Sequence, residues 1–119
     1  MRNFLKRYFC KPSANFSLIY SQALVPRLLH QYDLFAVDGP AEVSVFADLS
    51  KLQPGDTVIF EEYLALDSEE LLFNSTSILD KQLAPIFHFP SLHIPKRYRL
   101  KVAQTRGTPK EIKIFVYGR

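Results

Sequence analysis

The stretch RYRLKVAQTRGTPKEIKIFVYGR, from Arg97 to Arg119, alternates apolar with basic or polar residues on both sides of a glycine. In an extended chain Tyr98, Leu100 and Val102 fall on one side, and Arg97, Arg99 and Lys101 on the other. Beyond Gly107 the pattern returns: Ile112, Ile114 and Val116 share a side, with Lys113, Phe115 and Tyr117 opposite. A period of two marks a strand with one buried face. The stretch therefore predicts two strands, joined through Thr105 to Lys110 as a hairpin. The register expected for it sets Lys101 against Lys113, Arg99 against Phe115 and Arg97 against Tyr117, with cation–π contacts for the last two pairs.

The same signal extends upstream. Leu52-Gln53-Pro54-Gly55-Asp56 reads as a type II turn in which Gly55 supplies the positive φ, and it opens the strand DTVIFEEYLAL, Asp56 to Leu66. Val58, Phe60, Leu64 and Leu66 form its apolar face, opposite Thr57, Ile59, Glu61 and Tyr63. Glu62 alone interrupts the apolar face, which predicts a strand end, a bulge or a partner charge at that point. Phe16 to Tyr20, Leu28 to Val37 and the stretch AEVSVFADL from Ala41 are further strands, and Asp38-Gly39-Pro40 supplies turn chemistry. A charged turn, Asp67 to Glu70, precedes the short strand LLFNSTSI. QLAPIFHFPSLHIP, broken by Pro85, Pro90 and Pro95, reads as an edge strand and extended crossing. About seven or eight strands with regular turn signals predict an all-β fold, a single antiparallel β-sandwich or jelly roll over residues 16–119.

Residues 1–15 differ in kind. Phe4 with Tyr8 and Leu5 with Phe9 recur at i, i+4 with Lys6 and Arg7 opposite, the pattern of a short amphipathic helix ended by Pro12. A helix of about nine residues is marginal alone in water. The basic arm is thus expected to dock on its own domain, another subunit, a lipid surface or a genome.

Composition narrows the function classes. A chain of 119 residues with 47% apolar content has material for one domain with a real core. The lone cysteine, Cys10, excludes an intramolecular disulfide, and no Cys/His spacing suits zinc. No apolar run nears the roughly 20 residues of a membrane span, and no secretory leader is visible, so use without Sec export is expected. Charge is polarised along the chain: residues 1–32 carry five bases and no acid, 33–80 eleven acids against Lys51, and 81–119 nine bases against Glu111. Such blocks suit a polyanion or a second copy of the chain, unless folding interleaves the two signs on one surface.

Catalytic constellations are not apparent. Glu61 and Glu62 are adjacent on a strand, so their carboxylates point to opposite faces and cannot share one bond. His88 and His93 are odd-spaced and would face opposite sides of a regular strand, and His30 stands apart from both. Cys10 has bases near it but no histidine. The glycines are isolated turn residues rather than a phosphate loop. No enzyme activity, metal or cofactor is expected. The basic strand face with Phe115 and Tyr117 has the ingredients of a single-stranded nucleic-acid surface, although exposed lysine and arginine also guard a sheet edge against aggregation.

The succession LQPGDTVIFEEYLALD, an irregular proline-broken stretch, then YRLKVAQTRGTPKEIKIFVYG resembles a group of small β-sandwich virion structural proteins of archaeal and bacterial viruses. The matching features are the strand opening Gly55-Asp56-Thr57-Val58 and the turn Gln104-Thr105-Arg106-Gly107-Thr108 before a final aromatic strand, within about residues 30–119. The resemblance implies a jelly-roll-like capsid or other virion component that self-assembles in many copies, found in the host cytoplasm before assembly and then in the virion. Homo-oligomers and other virion proteins would be its partners, with the viral genome or an internal membrane reached through the arm, and no small-molecule substrate. The residues expected at such contacts are the basic Arg2, Lys6, Arg7, Lys11, Arg97, Arg99, Lys101 and Lys113 with Phe115 and Tyr117. They would meet an acidic surface of Asp56, Glu61, Asp67, Glu69 and Glu70 on a neighbour. The alternative is a nucleic-acid-binding β module using the basic C-terminal hairpin.

Overall fold

Eight antiparallel strands build residues 16–119, the part of the chain that the computed structural model describes. They are β1 (Ser17–Leu24), β2 (Gln31–Asp38), β3 (Ala41–Asp48), β4 (Thr57–Ala65), β5 (Glu70–Leu79), β6 (Ile86–Ile94), β7 (Arg97–Arg106) and β8 (Ile112–Gly118). Sheet A has the order β1-β8-β3-β6 and sheet B the order β2-β7-β4-β5. Only β4 and β5 are neighbours both in sequence and in a sheet; every other connection passes from one sheet to the other. The helix expected over Arg2–Cys10 lies outside the described residues.

The C-terminal hairpin does not form. β7 pairs with β2 and β4 in sheet B, whereas β8 pairs with β1 and β3 in sheet A. Lys101 therefore lies opposite Asp33 and Glu61, not Lys113, and Arg97 and Arg99 do not meet Tyr117 and Phe115. The reason lies in the apolar rows. Tyr98, Leu100 and Val102 are at most 1% exposed, and so are Ile112, Ile114 and Val116. A row that is wholly buried needs a second layer over it, and placing the two strands in separate sheets lets both rows belong to one core. Five connecting residues reach about 20 Å at full extension, ample for a sheet separation of about 10 Å.

Two buried polar side chains hold that crossing. The Gln104 amide, fully buried, donates to the carbonyls of Arg106 (3.0 Å) and Thr108 (2.7 Å) and accepts from the Lys110 N–H (3.0 Å). These groups would be spent on the ladder in a hairpin, so here a side chain must satisfy them. From the β3–β4 side comes Asp56, 2% exposed. Its carboxylate accepts from the backbone N–H groups of Gln53 (2.8 Å) and Thr108 (3.1 Å) and from the Lys110 ammonium (2.6 Å). Gly107, at φ +88°, lies so close that a Cβ there would run into the Asp56 carboxylate and stand 2.8 Å from its Cα. The Pro54-Gly55 turn takes the expected form, with Gly55 at φ +93° and the Asp56 N–H donating to the Gln53 carbonyl.

Between the sheets, Phe60 of β4 meets Phe89 of β6 edge-to-face, with ring centroids 5.2 Å apart. Val43, Val45, Ala47, Leu49, Leu52, Val58, Leu34, Phe35, Ile78 and Ile94 join them in the core, each large side chain stabilising the fold by roughly 1.5–3 kcal/mol. Glu62 sits among them at 4% exposure, on a bulge where the β5 partner jumps from Asn74 to Leu72. Its neighbours are hydroxyl and amide rather than a charge: the Tyr98 hydroxyl donates at 2.6 Å and the Asn74 amide at 2.7 Å. Burial, with the Glu62 carboxylate beside it, holds the Tyr98 phenol far above its ordinary range, so it remains a donor.

Several boundaries shift. β2 begins at Gln31 because Leu28 to His30 form an exposed turn, with Leu29 at φ +64° donating its N–H to the Gln104 carbonyl. Leu66 lies past the end of β4 and is 70% exposed, and β5 is a full ten-residue strand. β6 is an edge strand as its prolines predict, and Pro90 with Ser91 forms a bulge opposite Ser44.

Replacing Asp56 with Ala should cost about 3–5 kcal/mol, because it leaves the Lys110 ammonium and two N–H groups without their acceptor. Burial pushes the Asp56 carboxyl up, but the hydrogen bond and charge of Lys110 with the N–H groups of Gln53 and Thr108 outweigh it and hold the pKa below the ordinary value. The latch thus contributes fully above the unfolded-chain value of about 3.9 and is lost as pH falls through the lower native value. Urea midpoints measured from pH 7 downward should fall, and Asp56→Asn should lessen that acid dependence. Tyr98→Phe, which strands Glu62 with one donor fewer, should lower stability by about 1.5–3 kcal/mol with an unchanged m-value.

Candidate functional site

The two outer faces of the sandwich have opposite chemistry. On sheet B, β7 lies between β2 and β4, and its three bases point outward into carboxylates of their own chain. Arg97 pairs with Asp38 at 2.9 Å and approaches Glu70 at 3.8 Å. Arg99 bridges Asp33 at 2.8 Å and Glu70 at 3.1 Å. Lys101 stands 3.9 Å from Asp33 and 5.1 Å from the centroid of the Tyr63 ring. The hydrogen bond to Glu70, reinforced by Asp33, holds the Arg99 guanidinium above its ordinary pKa against the opposing effect of burial. Folding has interleaved the basic and acidic sequence blocks on this face.

The expected acidic surface is likewise divided. Asp56 is buried in the latch and Glu70 is committed to Arg99. Glu61 accepts from Gln31 at 2.6 Å and from the Tyr63 hydroxyl at 3.0 Å, the latter raising the Tyr63 pKa. Asp67 and Glu69 are exposed in the β4–β5 turn. Glu61 and Glu62 do point to opposite faces. Of the basic set, Arg2, Lys6, Arg7 and Lys11 lie outside the described residues, as does Cys10.

Sheet A turns an aromatic face outward. Phe16, Ser44, Phe46, Ile86, Ser91, Phe115 and Tyr117 line an open groove of about 700 Å³, and none of the seven is charged. Phe115 and Tyr117 come from β8, where the period of two aims them away from Ile114 and Val116. Phe46 comes from the adjacent β3, opposite Phe115, and meets the Tyr117 ring edge-on at 5.9 Å. Lys113, two residues before Phe115, is exposed opposite Asp48. The Asp48 carboxyl is held low first by hydrogen bonds from Ser50, with Lys113 and Lys51 adding charge.

The Pro90 bulge corrects the histidine reading. An extra residue in β6 restores the outward phase, so His88 and His93 both lie on the outer face, opposite Phe46 and Glu42 respectively. His88 stacks on Phe46 with centroids 4.3 Å apart and planes 12° from parallel, and its Nε2 is 2.7 Å from the Ser44 hydroxyl. Among the described residues no group of three or more His, Cys, Asp or Glu is placed to hold a metal ion. Phe16, Phe46, Ile86 and the two serines are the groove residues that sequence reasoning missed. The available signal was Phe46, an aromatic on the polar phase of AEVSVFADL. Against models of known protein families, curated proteins and solved structures, the chain finds no match in any of the three comparisons.

Proposed function

We propose that the chain is a virion structural protein, a capsid or other shell component that assembles in many copies through its β-sandwich. The order β1-β8-β3-β6 facing β2-β7-β4-β5 supports reading the sandwich as a jelly roll, the architecture of many capsid subunits and also of lectins and cupins. Because that fold serves several roles, it assigns none by itself.

The observation that carries the assembly reading is β5. Among the described residues this ten-residue strand is one of the two edges of sheet B, β2 being the other, has Glu70 as its only charge, and leaves Leu71, Leu72 and Phe73 at 60%, 51% and 45% exposure. An edge that exposes a run of apolar side chains, here Leu71 to Phe73, without lysine or proline is a template for another chain, and monomeric proteins avoid such edges. In the proposed role a neighbouring subunit covers this edge. The protein has no catalytic step in this reading, takes copies of itself and other virion proteins as partners, and passes from host cytoplasm to virion. The alternative of a nucleic-acid module is less well served by the geometry: Arg97, Arg99 and Lys101 are on sheet B, while Lys113, Phe115 and Tyr117 are on sheet A.

Sedimentation of the purified full chain tests the proposal. Large closed or filamentous particles are expected. The double variant Leu71→Lys/Phe73→Lys should shift the material to monomer while its circular dichroism stays that of the folded β-sandwich and its melting temperature falls only to the value of an unassembled subunit. A sharp monomer peak for the unsubstituted chain at high concentration overturns the assembly reading. Monomer binding of oligonucleotides that weakens steeply with salt would instead favour the nucleic-acid module.

A further inference from the structure

We propose that the recess between the edge strands β5 and β6 is a binding site for a primary alkylammonium group, the chemistry of a lysine side chain or a free alkylamine, with the Glu62 carboxylate as its acceptor. Glu62, Phe73, Asn74, Pro90, Ser91 and Leu92 line this recess of about 330 Å³.

The recess exists because both edge strands bulge at the same place. On β5, Asn74 lies opposite Glu62 and Leu72 opposite Tyr63, so Phe73 is the extra residue. On β6, Leu92 lies opposite Val43 and Phe89 opposite Val45, so Pro90 and Ser91 together oppose Ser44. Bulges re-aim side chains and concentrate at sheet edges and beside functional sites. Here the displaced residues Phe73, Pro90 and Ser91 are exposed walls of the recess, and Glu62 is its buried carboxylate.

The charge balance of Glu62 names the ligand. Among the described residues two carboxylates are buried, those of Asp56 and Glu62. Asp56 has the Lys110 ammonium at 2.6 Å. Glu62 has neutral donors, the Tyr98 hydroxyl on Oε2 and the Asn74 amide on Oε1, and its cross-strand neighbours Asn74 and Leu100 carry no charge. None of the ion pairs among the described residues includes it. Buried charges are ordinarily paired with an opposite charge. A carboxylate offers about four acceptor directions, so a further donor can be taken beside these two. Because each oxygen already holds one donor, a compact ammonium reaching a single oxygen fits better than a planar guanidinium that grips both. Phe73, Pro90 and Leu92 supply apolar wall for a methylene stem, and an aromatic ring beside a cation adds attraction. The site itself does not depend on assembly. A neighbouring copy's lysine as its source rests on the assembly reading, since β5 is the edge such a copy covers.

Saturation-transfer difference NMR titrations on the full chain read subunits and particles alike. The Kd of n-butylammonium should be at least about tenfold below that of its neutral isostere 1-butanol, and also below that of n-butylguanidinium. Glu62→Gln, which keeps the side-chain shape and an acceptor for Tyr98, should weaken n-butylammonium binding by about tenfold while the circular dichroism stays that of the sandwich. Asp67→Asn/Glu69→Gln, which removes the exposed charges of the β4–β5 turn, should leave the Kd within about twofold. Equal binding of n-butylammonium and 1-butanol, tighter binding of the guanidinium, binding undiminished in folded Glu62→Gln, or binding lost in Asp67→Asn/Glu69→Gln each overturn the proposal. The three probes on the unsubstituted chain decide the matter if Glu62→Gln does not fold. Sedimentation at constant ionic strength then separates the two sources, both of which carry the proposed chemistry. Where a neighbour's lysine fills the site, n-butylammonium but not 1-butanol releases subunits from particles; where the ligand is a free alkylamine, sedimentation is unmoved. A chain that proves monomeric fails the assembly reading, and the titrations still read the site.

Discussion

The crossing from β7 to β8 is the constraint on which the rest of the molecule depends. Two strands that alternate perfectly and follow one another closely could lie side by side, yet a buried glutamine and a buried aspartate bind the loop between them into a sheet-to-sheet passage. Gln104 supplies three hydrogen bonds to loop backbone. Asp56 ties the same loop to the turn before β4, and Gly107 leaves room for its carboxylate. Once β7 and β8 are apart, each becomes an inner strand of its own sheet, and their two apolar rows close one core.

That separation also sorts the surface. The bases of β7 fall between the acidic strands β2 and β4, with Glu70 of β5 within reach, so Arg97, Arg99 and Lys101 are neutralised within the chain. The aromatics of β8 fall beside β3, whose Phe46 joins them, and none of the described residues lining the resulting groove is charged. A hairpin would have mixed these two sets into a basic, ring-bearing surface suited to nucleic acid. The observed topology instead gives one ionic face, one aromatic face and exposed apolar side chains at the β5 edge.

Much of the fold was legible because it rests on local rules. The inward rows of β7 and β8, the glycine turn at Pro54-Gly55, and the edge position of proline-broken β6 follow from side-chain alternation and backbone geometry. Glu62 was flagged as anomalous, and a bulge does lie there, though Tyr98 and Asn74 rather than a charge answer it. The aromatic groove was not legible: Phe16, Phe46, Ile86 and Tyr117 lie far apart in sequence, and their meeting depends on strand order. The shared outward phase of His88 and His93 escaped for a related reason, since a bulge at Pro90 reverses the alternation that spacing alone assumes.

From Arg97 to Arg119, alternation was enough to settle that two strands exist and which side chains of each enter a core, because a pleated chain has only two faces and burial selects one. It was silent on which strands sit beside them, since hydrogen-bond ladders join backbone groups that every residue shares. That choice belonged to the folded chain, where covering two wholly buried rows and satisfying the loop's polar groups through Asp56 and Gln104 place β7 and β8 in opposite sheets.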